Sequence, residues 1–190
     1  MTTRNLAAVV RVARAVADVV ADTLDAMGIA HLLGLADTEL AQLGVAVPAL
    51  TDERLALIGY EETDPETFAE EVLRDRPALV RFADHQVRAD PTGCANAAAA
   101  ALERHISSLA VHFDVDAVDS RDLPLANYPH YGTGIPLAAA GEVLSVLCAA
   151  PTLAAIVLTE VNPSYDPAGD QLGRYVETVA AAIGHGLTHH

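Results

Sequence analysis

Two short, nearly continuous apolar stretches, Ser108–Phe113 and Ala154–Thr159, constrain this chain most, because each runs straight into carboxylates. Apolar runs of this length, without alternation, read as strands buried on both faces, the kind found in parallel sheets. Leu137–Ala149 between them reads as a helix, as do the Ala-rich Asn96–Ile106 before the first and the amphipathic Gln171–Ile183 after the second. Upstream, Leu55–Tyr60 reads as another buried strand, Pro65–Arg76 as a helix with Asp64 at its N-cap, and Leu79–Phe82 as a further strand. Asp37 to Leu40 opens a short helix ending near Gly44. Over Leu6–Ala21 the residues Val9, Val10, Ala13, Val16 and Val20 recur at helical spacing, which predicts an amphipathic helix. Alternating strands and helices predict an α/β fold, a three-layer α/β/α arrangement around a mainly parallel sheet. No repeat or linker divides residues 1–190, so one domain is expected.

The chain carries a formal net charge of -15, and all eleven of its basic residues are arginine. That balance argues against nucleic acid, which needs a basic stripe, and against an anionic membrane surface. It suits a cation or a cationic substrate. No apolar run of about 18 residues predicts a membrane span. The N-terminal stretch, broken by Arg4, Arg11, Arg14 and Asp18, does not read as a signal peptide, so a cytoplasmic protein is expected. Cys94 and Cys148, far apart and outside any paired motif, read as reduced small apolar residues.

Ligands of parallel α/β sheets sit beyond the carboxyl ends of the strands. There the chain places Asp114 and Asp116 after one strong strand and Glu160 after the other. Two residues apart on an extended chain, Asp114 and Asp116 would point to one side. Such a pair repels itself unless a hard divalent cation relieves it, and oxygen ligands suit magnesium, calcium or manganese. A solvated acidic turn is the other reading of the same pattern.

His112-Phe113-Asp114-Val115-Asp116-Ala117-Val118-Asp119 resembles the S-x-D-x-D-x-x-D motif of arginases, agmatinases and formiminoglutamases. Gly132-Thr133-Gly134-Ile135-Pro136 is similar to that family's G-T-G-x-P loop, followed by Gly141 and Glu142 at the following helix. Thr159-Glu160-Val161-Asn162-Pro163 is similar to its E-V-N-P segment. The resemblance covers about Ser107 to Leu187, and more loosely Leu24–Gly34.

The resemblance implies a manganese hydrolase of guanidino C–N bonds, releasing urea. It implies Asp114 and Asp116 as metal ligands, Asp116 and Glu160 as catalytic residues, and Glu160 as the partner of a cationic guanidino substrate. Thr133 would shape the pocket, and Asp25 falls on the substrate side where the family has a proton-shuttling histidine. Two family motifs, G-G-D-H and D-A-H-x-D, are absent, and Ala83-Asp84-His85 is only a superficial echo of the second. Leu6–Ala21 resembles the helix before the first lost motif and Leu24 onward the text after the second. That places a missing segment near Asp22, removes the first family strand and reduces the sheet. Loss of these ligands implies impaired hydrolysis. The alternative is an inactive or truncated relative acting as a binding or assembly module. Exposed sheet edges predict a homo-oligomer.

The histidines divide. His31, His105 and His185 lie on or near helices and read as ordinary surface or boundary residues. His112 shares a strand face with Asp114, and His130 and Tyr131 precede Gly132, so His112 and His130 are candidates to line the site.

Overall fold

The structure, a computed structural model, describes residues 8–12, 28–35, 39–42, 46–62 and 76–188. Five strands form one sheet: β1 (Ala8–Val12), β2 (Leu55–Tyr60), β3 (Val80–Ala83), β4 (Leu109–Asp114) and β5 (Leu153–Thr159). The helices are α1 (Gly28–Leu32), α2 (Asp84–Ala89), α3 (Pro91–Glu103), α4 (Leu137–Cys148) and α5 (Asp170–Leu187). The strand order is β3-β2-β1-β4-β5, and every pair is parallel. The chain winds outward from β1 through β2 to β3, then returns to β4 on the other side of β1 and ends at β5. The winding reverses between β1 and β4, and in open α/β sheets this is the crevice where ligands bind.

Burial along the strands builds the layers. Ala56 and Ile58 of β2, with Leu109, Val111 and Phe113 of β4, face a core shared with α3, α4 and α5. Leu55 and Leu57 face the other way, into a second core with Ile29 and Leu33 from the α1 region. Each second residue therefore serves one layer, as the period of a strand requires. A register irregularity between Ile58 and Tyr60 turns Tyr60 into the second core. Helices on both faces of a parallel sheet make the expected three-layer α/β/α fold.

The structure corrects the expected helix over Leu6–Ala21, because Ala8–Val12 are the central strand, paired with β2 and β4. The strand reads Ala-Val-Val-Arg-Val, and over five residues broken by Arg11 a strand cannot be told from helical spacing. The rest of that segment, residues 13–21, and Asp22 and Asp25 beyond it lie outside the described residues. So does nearly all of the expected helix Pro65–Arg76. Of the Asp37–Gly44 segment, a single 3-10 turn, Leu40–Gln42, is described. Helix α3 starts five residues earlier than expected, at Pro91, with the Asp90 side chain accepting from the Gly93 N–H at 2.8 Å. Helix α2 was not foreseen. Among the described residues no helix is long and apolar enough to cross a membrane.

Candidate active site at the carboxyl edge of the sheet

The carboxyl ends of the strands gather acids from four directions. Glu61 follows β2, Asp84 follows β3, Asp114 closes β4 with Asp116 just beyond, and Glu160 follows β5. Glu61, Asp84 and Asp114 are buried. The Asp114 carboxylate accepts from the Asp116 N–H at 3.0 Å, which starts the 3-10 turn Val115–Ala117. The pair is thus held by a turn and not by strand alternation, since the chain leaves the extended conformation at Val115. Behind them Tyr175 of α5 stacks on Phe113, ring centroids 6.1 Å apart. Burial, and then the negative charge of Asp114, push its phenol up to about 12.

The long loop after the turn is folded back onto its own start. Ile135 N–H donates to the Ala117 carbonyl at 2.8 Å, and Asp119 N–H to the Ile135 carbonyl at 3.0 Å. Gly132 and Gly134 both adopt positive φ, 87° and 84°, a region nearly closed to other residues. Two carboxylates pin this turn. Asp119 accepts from Gly132 N–H at 3.1 Å and from Arg121 N–H at 2.9 Å. Asp84 accepts from Gly134 N–H at 3.0 Å and from Arg88 at 3.1 Å, while Arg88 also donates to the Gly134 carbonyl. Burial works to raise the Asp119 carboxyl, but the N–H groups of Arg121 and Gly132 and the charge of Arg121 outweigh it and hold it below the usual range. Thr133 sits half-buried between the two pinned glycines.

Asp84 was read as part of a superficial echo; the structure makes it the clamp of the G-T-G turn. A legible signal existed, an acid directly after a strand with an arginine four residues on, but its main partner lies 50 positions away. Asp122 was missed in the same way. It caps α4 by accepting from Leu137 N–H at 2.8 Å and pairs with Arg174 of α5 at 2.8 Å. Burial raises its carboxyl, while the Arg174 hydrogen bond, the Leu137 N–H and the Arg174 charge lower it further.

Glu160 is half-buried and holds φ of 62°, the one non-glycine residue in the left-handed region among the described residues. Such strain persists where surrounding contacts over-determine it, and it concentrates at functional sites. Here the carbonyl of Glu160 accepts from Asn127 N–H at 3.1 Å, Asn162 N–H donates to the Leu125 carbonyl at 2.8 Å, and the Asn162 and Asn127 side chains join at 3.1 Å. The register Asp114↔Thr159 sets the two strand ends level, so Glu160 starts one residue past the neighbour of Asp114. His112, on the face of Asp114, is hydrogen-bonded to the Thr159 hydroxyl at 2.9 Å. His130 is buried beneath the turn, where a methyl on Gly134 would come within 2.7 Å of its Nε2. His31 proves buried in α1, whereas His105 and His185 are exposed.

The fit to a metal is poor. Among the described residues no three His, Cys, Asp or Glu side chains are arranged to hold an ion. Asp114 and Asp116 meet at one turn, and residues 13–17, which follow β1 in sequence, are Ala, Arg, Ala, Val and Ala, with neither a carboxylate nor an imidazole. A two-manganese centre does not fit this donor set. A groove of about 850 Å³ runs along α3, α4 and α5, with Ala99, Gly141 and Ala182 in its lining, and takes in none of the strand-end acids.

Residues 11–185 match the model of the arginase family. The chain belongs to the arginase family. The same fold is found in arginase from Bacillus subtilis, with 19% identity and a TM-score of 0.78 over 93% of this chain and 61% of that one. Arginase from Bacillus caldovelox gives 23% identity and a TM-score of 0.76, covering 95% of this chain and 59% of that one. Formiminoglutamase from Trypanosoma cruzi, solved with manganese, gives 15% identity and a TM-score of 0.69, covering 97% and 56%. This arginase-family chain therefore spans about three fifths of the length of the structures it resembles. Among curated protein sequences nothing matches.

Proposed function

We propose that this chain binds a small guanidino cation through Glu160, in a ureohydrolase-type site whose hydrolysis of the guanidino C–N bond is impaired. One observation carries the reading. The acids Asp114, Asp116 and Glu160 stand at adjacent strand ends of an arginase-family sheet, while the described residues assemble no three-ligand metal group. Hydrolysis in this class depends on a metal-activated hydroxide, which requires a fixed coordination shell. Manganese would find Asp114 and Asp116 as its ligands, too few for two ions. The residues are left with recognition. The Glu160 carboxylate pairs with the planar guanidinium fork, its backbone held by Asn127. Thr133 shapes the pocket wall, and Asp116 takes the polar role nearest Asp114. Asp25, outside the described residues, is the further substrate-side candidate that the sequence resemblance implies. With net charge -15 the protein attracts such cations and repels nucleic acid. The chain works as a single arginase-like domain over residues 1–190.

The test is calorimetric titration with agmatine and, separately, with manganese. Agmatine binding near the millimolar range, about -4 kcal/mol, that is lost in Glu160→Gln supports the reading. Two manganese ions held at micromolar strength and lost in Asp116→Asn would refute it.

The alternative, an assembly role, is favoured by one feature. Edge strand β5 leaves Val157 48% and Leu158 42% exposed, a hydrogen-bonding edge with apolar side chains on both faces.

A further inference from the structure

A cavity of about 420 Å³ opens beside the Gly132-Thr133-Gly134 turn, lined by Arg88, Asp119, Arg121, Asp122, Gly134 and Pro136. Two guanidinium groups and two carboxylates line it, so charge alone does not choose its ligand. Hydrogen-bonding capacity does, through which donors and acceptors are already spent within the protein. The carboxylates are committed to the protein itself. Asp119 accepts from Arg121 N–H and Gly132 N–H, and Asp122 accepts from Leu137 N–H through one oxygen and from Arg174 through the other. Asp84, behind the wall, is taken by Gly134 N–H and Arg88.

The donors are not used up. Arg88 spends its Nε on the Gly134 carbonyl and its Nη2 on Asp84, which leaves Nη1. The Arg121 guanidinium donates to no acceptor among the described residues, although a guanidinium carries five N–H donors in a rigid fork. Arg121 is exposed, and its guanidinium lies against the turn. A methyl built on Gly132 would lie 2.9 Å from Nη2, 3.0 Å from Nη1 and 3.1 Å from Cζ. These three guanidinium atoms therefore sit close over the Cα of Gly132, at the mouth of the cavity. Gly132 is itself held by Asp119, so the turn beside the fork is fixed.

We propose that this cavity is an oxyanion site, in which the fork of Arg121, with Nη1 of Arg88, takes a carboxylate or phosphate group of a small ligand. A planar guanidinium at the mouth of a cavity is suited to bidentate contact with either group. The site uses neither Glu160 nor the Asp114–Asp116 pair. On a chain of net charge -15, anions are repelled in general, so any binding is local.

The experiment is calorimetric titration of the whole chain at constant ionic strength with inorganic phosphate in one arm and succinate in the other. Sodium chloride is the control, and thermal melts confirm that each variant is folded. Saturable millimolar binding of either probe is expected, and which arm responds names the source of the oxyanion. Arg121→Gln should weaken it about tenfold, and Arg121→Lys several-fold, since the charge stays but the fork is lost. Gly132→Ala should weaken it although no charge changes. Arg104→Gln, at an exposed arginine just past α3, should leave it unaltered. Neither probe binding above the chloride control, undiminished binding in Arg121→Gln, or an equal loss in Arg104→Gln would overturn the proposal.

Discussion

Replacing Asp84 with alanine tests whether the G-T-G turn is clamped to the sheet. Asp84 is 7% exposed and its carboxylate accepts from two donors, Gly134 N–H at 3.0 Å and Arg88 Nη2 at 3.1 Å. Gly134 is itself buried, so its N–H would lose its acceptor where water does not reach. A buried donor left unmade costs about 1–3 kcal/mol, and hydrogen bonds to a charged group run to about 1.5–3 kcal/mol. The Arg88 side chain is 38% exposed, so its ion pair is screened and contributes little beyond this. The sum is about 3 kcal/mol, which for a chain of this size shifts the thermal midpoint by roughly 6–12 °C. Urea unfolding of Asp84→Ala, Arg88→Ala and the double variant measures it. The double variant should lose clearly less than the two singles added, because both act on one network with Gly134. A loss under about 0.5 kcal/mol in Asp84→Ala, or strict additivity, would refute the clamp.

Two other perturbations follow from the same contacts. Asp122, with its carboxyl held below the usual range, contributes stability that is fully present above its unfolded pKa of about 3.9 and lost as pH falls through its lower folded value. Urea unfolding should therefore show Asp122→Asn below the parent at pH 7 and converging with it in acid; a constant offset at every pH would contradict this. The exposed β5 edge predicts self-association, and sedimentation velocity at rising concentration should show it, with Val157→Lys dissociating the assembly. A strictly monomeric parent chain would remove that role.

How much of this was legible in the sequence depends on where the partners lie. Strands β4 and β5 were, because continuous apolar runs ending in acids leave few alternatives, and Asp114, Asp116 and Glu160 came with them. Strand β1 was not, because Ala8–Val12 is too short for its period to declare itself, and its Val9 and Val10 repeat with Ala13, Val16 and Val20 at helical spacing. The roles of Asp84 and Asp122 were hidden because their partners, Gly134 and Arg174, stand 50 and 52 positions away. The approach of Arg121 to Gly132, eleven positions on, was equally hidden. Such side chains read in sequence as an ordinary polar loop, and only the folded turn shows which donors are spent.

The central claim, recognition of a guanidino cation without efficient hydrolysis, is tested most directly by urea release. The purified chain is incubated with agmatine, arginine and related guanidino acids, with excess manganese at mildly alkaline pH, and urea is measured over hours. The account predicts no urea above the protein-free control, while the same preparation binds agmatine in a Glu160-dependent way. Steady urea production that vanishes in Asp114→Asn would contradict it and show that the site is a working hydrolase.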